Sequence, residues 1–316
     1  MSALVLTGAS SFLGRALLAA LPAGRFPELR LLIHHRRPEQ LPAGSRVVTI
    51  AGDLLKPDTL HELVSPGSTV IHLAYLGPPH RDEENVAAAR NLIAACRDAR
   101  IRRLVHCSTA VVAGNVPDDV ITEATVCRPC TEYERVKYHI EEEMREAAAG
   151  AHGLAILRPT QVFGPGGRNL LSLAGRIVAA SGAVNWVYSS LQGRRRMNLV
   201  SVYNVVAALG FLATADGGVD QQTYIISDDG APTNNFRDVE RILGRELGRE
   251  RPAPPLTLPP RLLSAVLRAR GRSNTNPDRI YSDAKLKAAG FAKPWSFEGA
   301  LADFARWFRA HHSPAP

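Results

Sequence analysis

Two side chains that can move a proton lie four residues apart on one predicted helix. The segment Thr131-Glu-Tyr-Glu134 has the form of a capping box, which predicts a helix from there to about Ala149. Residues at this spacing share a helical face, so Tyr133 and Lys137 are predicted to lie side by side. A phenol has an ordinary pKa of about 10, and a neighbouring ammonium favours its phenolate. The pair is therefore a candidate for general acid–base chemistry, the alternative being an ordinary half-exposed helix face.

A glycine-containing turn near the N-terminus predicts where a nucleotide would bind. The apolar run Ala3 to Leu6 is typical of a buried strand, and Arg15 to Leu21 is predicted to be a helix. Between them, Gly8 permits the turn that leaves the strand and Gly14 lets the helix pack closely on it. The start of that helix would offer N–H groups to a pyrophosphate. Ser11 stands at a position where glycine is usual, and its hydroxyl can donate to phosphate. A turn without a ligand is the alternative.

The second predicted strand, Leu29 to His34, bears on the choice of cofactor. In dinucleotide folds an acidic residue after this strand binds the ribose 2′-hydroxyl and repels a 2′-phosphate. This chain instead has His35, Arg36 and Arg37, and arginine suits a phosphate group. The pattern favours NADP over NAD, with a basic surface patch as the alternative.

The remaining periodicity predicts alternating strands and helices. Further strands are predicted over Val47–Ile50, Val70–Ala74 and Leu104–Thr109, and helices over Pro57–Val64 and Glu83–Arg100. This order predicts an α/β fold with a doubly wound parallel sheet of the Rossmann type. Ligands of such sheets bind beyond the carboxyl ends of the strands, where Ser108 and Thr109 lie.

Composition narrows the class of protein. With 316 residues, 45% hydrophobic and 22% charged, the chain can bury a large core. It lacks an apolar run of membrane-spanning length and a secretory signal, and its four cysteines do not form a disulfide framework, so we expect a cytoplasmic protein. The net charge of +8 is spread over scattered arginines without a nucleic-acid-binding motif, which favours small anionic ligands or a solvated basic surface over nucleic acid or membrane.

Taken in order, these features resemble the extended short-chain dehydrogenase/reductase superfamily, in its NAD-dependent epimerase/dehydratase family. The resemblance implies that Tyr133 and Lys137 form the Tyr-x-x-x-Lys pair and that Thr109, rather than Ser108, is the catalytic hydroxyl. It further implies that Tyr133 exchanges a proton with the substrate oxygen, while Lys137 lowers the tyrosine pKa and holds the nicotinamide ribose.

The resemblance also implies the binding residues. Those expected at the cofactor, besides Tyr133 and Lys137, are Gly8, Ser10, Ser11, Phe12, Leu13, Gly14, His35, Arg36, Arg37, Asp53, Leu54, Leu73, Ala74, Pro159 and Val162. Those expected at the substrate are Thr109, Gln161 and Arg196. Tyr203 and Asn204 stand where the family usually has aspartates.

Two domains of unequal size are expected. Residues 1–160 would form the dinucleotide-binding domain, joined by a strand and helix near 198–227, whereas 161–197 and 228–316 would form a smaller substrate-binding lobe. Within these later parts we expect a strand over Tyr224–Ser227, a helix over Phe236–Leu247, a basic helix over Arg261–Arg272, a closing element at Asp283–Phe291 and an unstructured tail carrying His311 and His312.

For function, we expect an NADPH-dependent reductase of a keto nucleotide-sugar, with Arg194 to Arg196 and the arginines from Arg261 to Arg279 available to a diphosphate. The alternatives are an epimerase or dehydratase with tightly bound NAD, a reductase of a non-sugar ketone such as a steroid or polyketide, and a non-catalytic Rossmann binding protein. The family also suggests a homodimer formed through the helices that begin near Glu83 and Tyr133.

One motif lies outside the resemblance. Cys127 and Cys130 form a Cys-x-x-Cys pair just before Tyr133, which could be a redox pair, half of a zinc site or two ordinary thiols. Cys96 and Cys107 do not form a second pair of this kind, so no metal site is expected.

Overall fold

The structure is a computed structural model that describes residues 3–77, 82–250 and 276–312. Its strands are β1 Leu4–Thr7, β2 Glu28–Ile33, β3 Arg46–Ala51, β4 Thr69–His72, β5 Arg103–Cys107, β6 Val120–Ile121, β7 Gly153–Pro159, β8 Gln161–Phe163, β9 Leu199–Ser201, β10 Gln222–Ile226 and β11 Ile280–Tyr281. Its α-helices are α1 Phe12–Ala20, α2 Asp82–Asp98, α3 Glu132–Ala148, α4 Leu171–Ala179, α5 Gly182–Gln192, α6 Val202–Thr214, α7 Phe236–Glu246, α8 Ala284–Ala288 and α9 Phe297–His312. Two short 3₁₀ segments cover Pro57–Leu60 and Ala110–Ala113.

Seven parallel strands form the central sheet, in the order β10-β7-β5-β4-β1-β2-β3. Because β1 lies between β2 and β4, the winding direction reverses at β1, as in a doubly wound sheet. The predicted Rossmann-type fold is therefore confirmed.

Alternation along the strands gives the sheet two apolar faces. In β1, Leu4 and Leu6 join the core beneath α1 and α6, whereas Val5 joins the core beneath α2 and α3. Both faces are buried because crossover helices cover them, which explains the nearly continuous apolar sequence of β1. The carboxyl ends of the strands consequently open between the two layers of helices.

A third apolar cluster lies outside the sheet. It joins Phe163 and Leu199 to residues of α4, α7 and α9, including Phe236, Phe304 and Phe308. The short pair β8–β9 leads from the central sheet into this cluster, and β6 pairs with β11 in a second small sheet. The helices α4, α7 and α9 thus have a core of their own.

Several boundaries differ from the sequence predictions. α1 begins at Phe12 rather than Arg15, because Ser11 caps it by accepting a hydrogen bond from the Gly14 N–H at 3.0 Å. The helix predicted over Pro57–Val64 is one 3₁₀ segment, and the closing element holds the short helix α8. The strand predicted over Tyr224–Ser227 is found as β10, whereas the helix predicted over 261–272 lies outside the described residues.

The prediction of an unstructured tail at His311 and His312 is wrong. Both residues belong to the last turn of α9, where the Nδ1 atom of His311 lies 2.8 Å from the Trp307 carbonyl oxygen. Both imidazoles also lie against the Trp307 ring, with centroid separations of 5.2 Å. Aromatic packing therefore extends the helix where the sequence shows only a polar terminus.

Candidate active site

The turn between β1 and α1 brings backbone N–H groups to the point where the winding reverses. Gly8 has φ +75°, in the left-handed region, and a side chain at Gly14 would overlap the carbonyl oxygens of Gly8 and Ala9. The Ser11 N–H donates to Gly8 O at 2.9 Å, which closes the turn. The next two N–H groups, of Phe12 and Leu13, have no acceptor within their own helix. A helix start at this position fits the pyrophosphate of a dinucleotide.

Other residues of this turn link it to the rest of the site. The Arg15 Nη1 donates to the Ser10 carbonyl oxygen at 2.6 Å. The Phe12 ring lies against the segment Gly164–Gly167, where a side chain at either glycine would meet it. Leu73 and Ala74 follow β4 directly beside Gly8, whose added Cβ would lie 2.8 Å from the Ala74 nitrogen. These expected cofactor residues therefore meet at one edge of the sheet.

Basic side chains extend from the end of β2. His34, His35, Arg36 and Arg37 are all exposed, and the rings of the two histidines lie 3.6 Å apart by centroid. The carboxylate of Asp53, from the loop after β3, lies 3.7 Å from the His34 Nε2 and accepts from the Leu55 N–H at 2.9 Å. Within the described part of the chain, Arg36 and Arg37 form no ion pair.

Leu54 and the segment after β7 complete the expected cofactor positions. Leu54 is buried, and its carbonyl oxygen accepts from the Asn91 side chain at 2.8 Å. Pro159 ends β7, Val162 is half-buried in β8, and Gln161 between them is exposed while its N–H donates to Asn198 O at 2.9 Å. The exposed Gln161 side chain is thus available to a ligand.

Tyr133, Lys137 and Thr109 lie together at the carboxyl end of β5. The capping box of Thr131 and Glu134 is present and begins α3 as predicted. The Lys137 ammonium is buried and donates to the Cys107 carbonyl oxygen at 3.0 Å. The Thr109 side chain lies close enough to the Tyr133 phenol to lower its pKa, and its Oγ1 accepts from the Val111 N–H at 3.4 Å. The geometry thus joins a phenol, an ammonium and a hydroxyl at the mouth of the sheet.

Ser108 lies apart from this group. Its hydroxyl is buried and has no hydrogen-bond partner among the described residues. Ser108 also helps to lower the pKa of Glu141, one turn of α3 beyond Lys137, whereas Thr109 acts to lower the pKa of the Tyr133 phenol.

The expectation that Lys137 lowers the tyrosine pKa is not met in this geometry. Burial, the Cys107 thiol and the Tyr75 phenol raise the pKa of Tyr133 to about 12, while the Thr109 side chain acts to lower it. Although 44% of the Tyr133 surface is exposed, the surroundings of the phenol are mostly protein. Burial also lowers the pKa of Lys137, while Cys107 and Glu141 oppose that shift. The phenol is therefore held in its protonated form at neutral pH.

Two features of this corner were not predicted from the sequence. Tyr75 packs edge-on against Tyr133, with ring centroids 5.3 Å apart and an interplanar angle of 79°. Beyond Lys137, the buried Glu141 carboxylate accepts from Arg158 at 2.6 and 2.9 Å and from Arg145 at 2.7 Å. A spacing of four residues from Lys137 to Glu141, the same as from Tyr133 to Lys137, was the available signal for the second feature.

Two buried histidines lie beside Lys137 on the sheet. His72 Nδ1 lies 2.7 Å from the Thr7 hydroxyl, and the His72 ring stacks on His106 at 5.3 Å. Burial first, and then the Lys137 charge, lowers the pKa of His72 to about 3 and that of His106 well below its ordinary value. Neither ring nitrogen of His106 has a hydrogen-bond partner among the described residues. Both imidazoles are consequently neutral at pH 7.

The expected substrate residue Arg196 is held by the protein itself. Its Nη1 donates to the carbonyl oxygens of Asp229 and Ala231, each at 3.4 Å, and its N–H donates to Pro277 O at 2.7 Å. The neighbouring Arg194 lies 3.7 Å from the Asp238 carboxylate. The structure does not bring these arginines to Tyr133 in any contact that it describes.

Tyr203 and Asn204, which replace the usual aspartates, stabilise the junction with the C-terminal segment. The Tyr203 hydroxyl donates to Asp303 at 2.5 Å, and the Tyr203 ring stacks on Trp295 at 4.3 Å. Asn204 donates to Asp228 at 3.2 Å and accepts from the Trp295 N–H at 3.1 Å. These two positions therefore have a structural role here.

Cys127 and Cys130 are free thiols on an extended segment. Arg128 between them bridges to Gly114, and its N–H donates to Ala113 O at 2.9 Å, so the segment is fixed in this conformation. The described residues contain no group of three or more His, Cys, Asp or Glu side chains that could hold a metal ion.

The fold and the site together define a dinucleotide-binding enzyme with a Tyr-x-x-x-Lys pair. A model of the NAD-dependent epimerase/dehydratase family matches residues 4–227, and the chain belongs to that family. It is thus an NAD(P)-dependent enzyme of the short-chain dehydrogenase/reductase type.

Similarity to individual proteins points in two directions. The chain is 30% identical over 234 residues to a 4-hydroxy-2-methyl-3-oxo-4-farnesyl-3,4-dihydroquinoline-1-oxide ketoreductase of Stigmatella aurantiaca, covering 72% of this chain and 68% of that protein. It is 25% identical to sterol demethylase protein B of Methylococcus capsulatus, and the similarity covers 96% of this chain and 98% of that protein. Its fold is similar to that of the enzyme WbmG of Bordetella bronchiseptica, solved with NAD and UDP, with a TM-score of 0.73, 18% identity and coverage of 100% and 99%.

Among the described residues, no helix combines the length and apolar character that crossing a bilayer requires.

Proposed function

We propose that this enzyme reduces the ketone of an apolar, non-sugar substrate with NADPH. The observation that carries the proposal is the group formed by Tyr133, Lys137 and Thr109 at the carboxyl end of β5, next to the start of α1. The names of the two sequence relatives support the substrate class, since one is a ketoreductase of a farnesylated quinoline oxide and the other a sterol demethylase protein.

Reduction of a ketone adds a hydride to the carbonyl carbon and a proton to the oxygen. A reduced nicotinamide supplies the hydride when bound. Tyr133 donates its phenolic proton to the carbonyl oxygen, and Thr109 donates a hydrogen bond to the same oxygen as charge develops there. A phenol with a pKa of about 12 is almost fully protonated at pH 7, so Tyr133 is in the form that can donate a proton.

Lys137 acts on the cofactor side of the same corner. Its ammonium, buried and held by the Cys107 carbonyl oxygen, would donate to the nicotinamide ribose, as the family resemblance implies. The turn residues Gly8, Phe12 and Leu13 would bind the pyrophosphate, with Leu73, Ala74, Pro159 and Val162 along the cofactor.

The preference for NADPH rests on the end of β2. His35, Arg36 and Arg37 are exposed there and can donate to a 2′-phosphate. The planar guanidinium group of an arginine can donate two hydrogen bonds to one phosphate. The Asp53 carboxylate, which would disfavour such a phosphate, lies near His34 and accepts from the Leu55 N–H.

The second candidate function is action on a nucleotide-sugar, either as a keto-sugar reductase or as an epimerase or dehydratase with tightly bound NAD. The similarity of the fold to an enzyme solved with NAD and UDP favours it. Against it, Arg194 and Arg196 already interact with Asp238 and with backbone carbonyl oxygens. A homodimer through α2 and α3, and a cytoplasmic location, remain predictions.

A panel of carbonyl compounds tests the proposal. Purified enzyme is mixed with NADPH or NADH and with cyclic 3-oxo steroids, 2-alkyl-3-oxo acids and keto nucleotide-sugars, and the absorbance of reduced nicotinamide is followed. We expect NADPH consumption in a one-to-one ratio with alcohol formed from an apolar ketone. Turnover confined to nucleotide-sugars, or enzyme purified with tightly bound NAD that interconverts sugars without net consumption, would replace the first proposal by the second.

A further inference from the structure

We propose that Tyr75 is a positioning residue, whose ring holds Tyr133 and the Lys137 ammonium in place for the reaction. The proposal rests on the proposed function of that pair. Tyr75 follows Leu73 and Ala74 at the end of β4, and it is 36% exposed at the same corner as Tyr133.

The first contact is between the two phenol rings. Their centroids lie 5.3 Å apart at 79°, which is the edge-to-face arrangement that aromatic pairs prefer. Tyr133 is 44% exposed, so part of its ring faces solvent. The Tyr75 ring therefore restricts the directions in which the Tyr133 phenol can point.

The second contact is between Tyr75 and the lysine. The Lys137 Nζ lies 5.6 Å from the centroid of the Tyr75 ring, within the range of a cation–π interaction. Burial lowers the pKa of Lys137, and the face of an aromatic ring favours the charged ammonium over the neutral amine. The ring thus helps to keep Lys137 protonated and in contact with the Cys107 carbonyl oxygen.

The segment that carries Tyr75 is fixed to α2. Burial and then the nearby carboxylate of Asp82, the first residue of α2, raise the pKa of the Tyr75 phenol. The backbone of the next residue, Leu76, is bound on both sides by the buried Asn85 side chain, which accepts from the Leu76 N–H at 2.8 Å and donates to its carbonyl oxygen at 3.0 Å. The ring is therefore attached to α2, while the two residues that it contacts belong to α3.

The experiment compares Tyr75→Phe, which keeps the ring, with Tyr75→Leu, which removes it. We expect Tyr75→Phe to stay within about 3-fold of the wild type in kcat, and Tyr75→Leu to lose about 10-fold in kcat, the equivalent of the two ring contacts. The Kd for NADPH, measured by nicotinamide fluorescence, should change less than about 3-fold in both. Tyr188→Leu is the matched control and should leave kcat unchanged. Tyr188, on α5, is 37% exposed like Tyr75, and its ring also contacts a cation, the Arg176 guanidinium at 4.3 Å.

A second readout does not depend on activity. The chain has five lysines, so the Lys137 Nζ signal can be assigned in an NMR titration by comparison with Lys137→Arg. Loss of a cation–π contact should lower the Lys137 pKa by about half a unit in Tyr75→Leu and leave it unchanged in Tyr75→Phe. If Tyr75→Leu does not fold, as judged by thermal unfolding, Tyr75→Met replaces it.

The outcomes separate this proposal from the proposed function. A wild-type enzyme that transfers no hydride to any ketone contradicts the function, and the Lys137 titration still decides the role of Tyr75. An unchanged Lys137 pKa together with full activity of Tyr75→Leu overturns the positioning role. An equal loss in Tyr75→Phe and Tyr75→Leu also overturns it, because the hydroxyl rather than the ring would then be responsible.

Discussion

The arginines after β2 and the arginines before β9 differ in what the fold leaves them to bind. Arg36 and Arg37 are exposed and form no ion pair among the described residues. Arg194 instead lies near Asp238, and Arg196 donates to the carbonyl oxygens of Asp229 and Ala231. Both pairs look alike in the sequence, but only the second has acceptors among the described residues.

The difference between the two pairs of arginines concerns both the cofactor and the substrate. The exposed Arg36 and Arg37 support the proposal of a cofactor with an additional phosphate, whereas Arg194 and Arg196, among the described residues, already have acceptors in the protein. The corner formed by Tyr133, Lys137 and Thr109 differs from both arginine pairs. Burial keeps the Tyr133 phenol protonated. The buried Lys137 ammonium donates to the Cys107 carbonyl oxygen. The five predictions that follow test how far this division between ligand-binding and structural charges holds, starting with the largest effect.

Tyr133→Phe removes the proton donor from the corner. We expect kcat for ketone reduction to fall by at least about 100-fold, because general acid catalysis contributes roughly that much or more. The Kd for NADPH should stay within about 3-fold, since the ring and its contact with Tyr75 remain. Stopped-flow and steady-state absorbance measure kcat, and fluorescence titration measures the Kd for NADPH. A variant that retains turnover would exclude Tyr133 from the role.

Glu141→Gln tests whether the charges beyond Lys137 are structural. Glu141 is fully buried between Arg158 and Arg145, so the substitution leaves a buried guanidinium without its partner. We expect the free energy of unfolding in urea to fall by about 3–5 kcal/mol. The control is Glu143→Gln, whose partner Arg90 is 58% exposed and which should cost less than about 1 kcal/mol.

The Glu141 prediction also has a pH dependence with a definite sign. Burial acts to raise the pKa of Glu141, but hydrogen bonds and charge from Arg158 outweigh it, and the net pKa is lowered. A carboxylate with a lowered pKa in the folded state stabilises the protein above its unfolded pKa, and that stabilisation is lost as the pH falls. Equal stability of Glu141→Gln and the wild type at pH 7.5 would contradict the structural role.

Much of this fold is predictable because its signals are local. The apolar run of β1, the capping box of α3 and the alternation of strands and helices each depend on residues near one another in sequence. The predicted start of α1 is wrong because Ser11 caps the helix by accepting from the Gly14 N–H, a role that the periodicity of the sequence does not indicate. The end of α9 was missed because its stabilising contacts are with Trp307, an aromatic ring within the helix itself.

The site was less predictable where it depends on partners distant in sequence. Tyr75 lies 58 positions before Tyr133, and no pattern indicates that their rings touch. Spacing predicted the neighbourhood of Tyr133 and Lys137 but not the direction of the tyrosine pKa, which burial and Cys107 determine. The different roles of Arg36 and Arg196 likewise depend on acceptors that only the tertiary fold supplies.

The double variant Arg36→Ser, Arg37→Ser tests the cofactor side of the comparison. We expect the KM for NADPH to rise about 10-fold and that for NADH to change little, because charge-assisted contacts to a phosphate are worth about 1.5–3 kcal/mol in total here. Steady-state kinetics with each cofactor measures the ratio. An equal change for both cofactors would show that these arginines do not recognise the 2′-phosphate.

Arg194→Ser is the matched variant on the substrate side. With an apolar ketone as substrate, its KM should stay within about 2-fold of the wild type, as expected for an exposed ion pair of small energy. A rise of about 10-fold in the KM for a nucleotide-sugar would instead favour the second candidate function.

The smallest expected effect concerns the two buried histidines. His106→Phe removes two ring nitrogens that have no partner among the described residues, and we expect it to raise the free energy of unfolding at pH 7.5 by about 1 kcal/mol. His72→Phe should lower it, because the contact with the Thr7 hydroxyl is lost. Urea unfolding at pH 7.5 compares the two variants with the wild type.

Acid then separates the variants further. Both histidines have folded pKa values below the unfolded value of 6.5, and for His72 the folded value is about 3, so the unfolded chain takes up protons first as the pH falls. Each histidine therefore lowers stability by about 1.4 kcal/mol per pH unit between its unfolded and folded pKa. Between pH 6 and pH 5, the wild type should therefore lose about 1.4 kcal/mol more of its free energy of unfolding than His106→Phe. An unchanged slope would mean that His106 takes up its proton over the same pH range in the folded and the unfolded protein, which would contradict the lowered pKa.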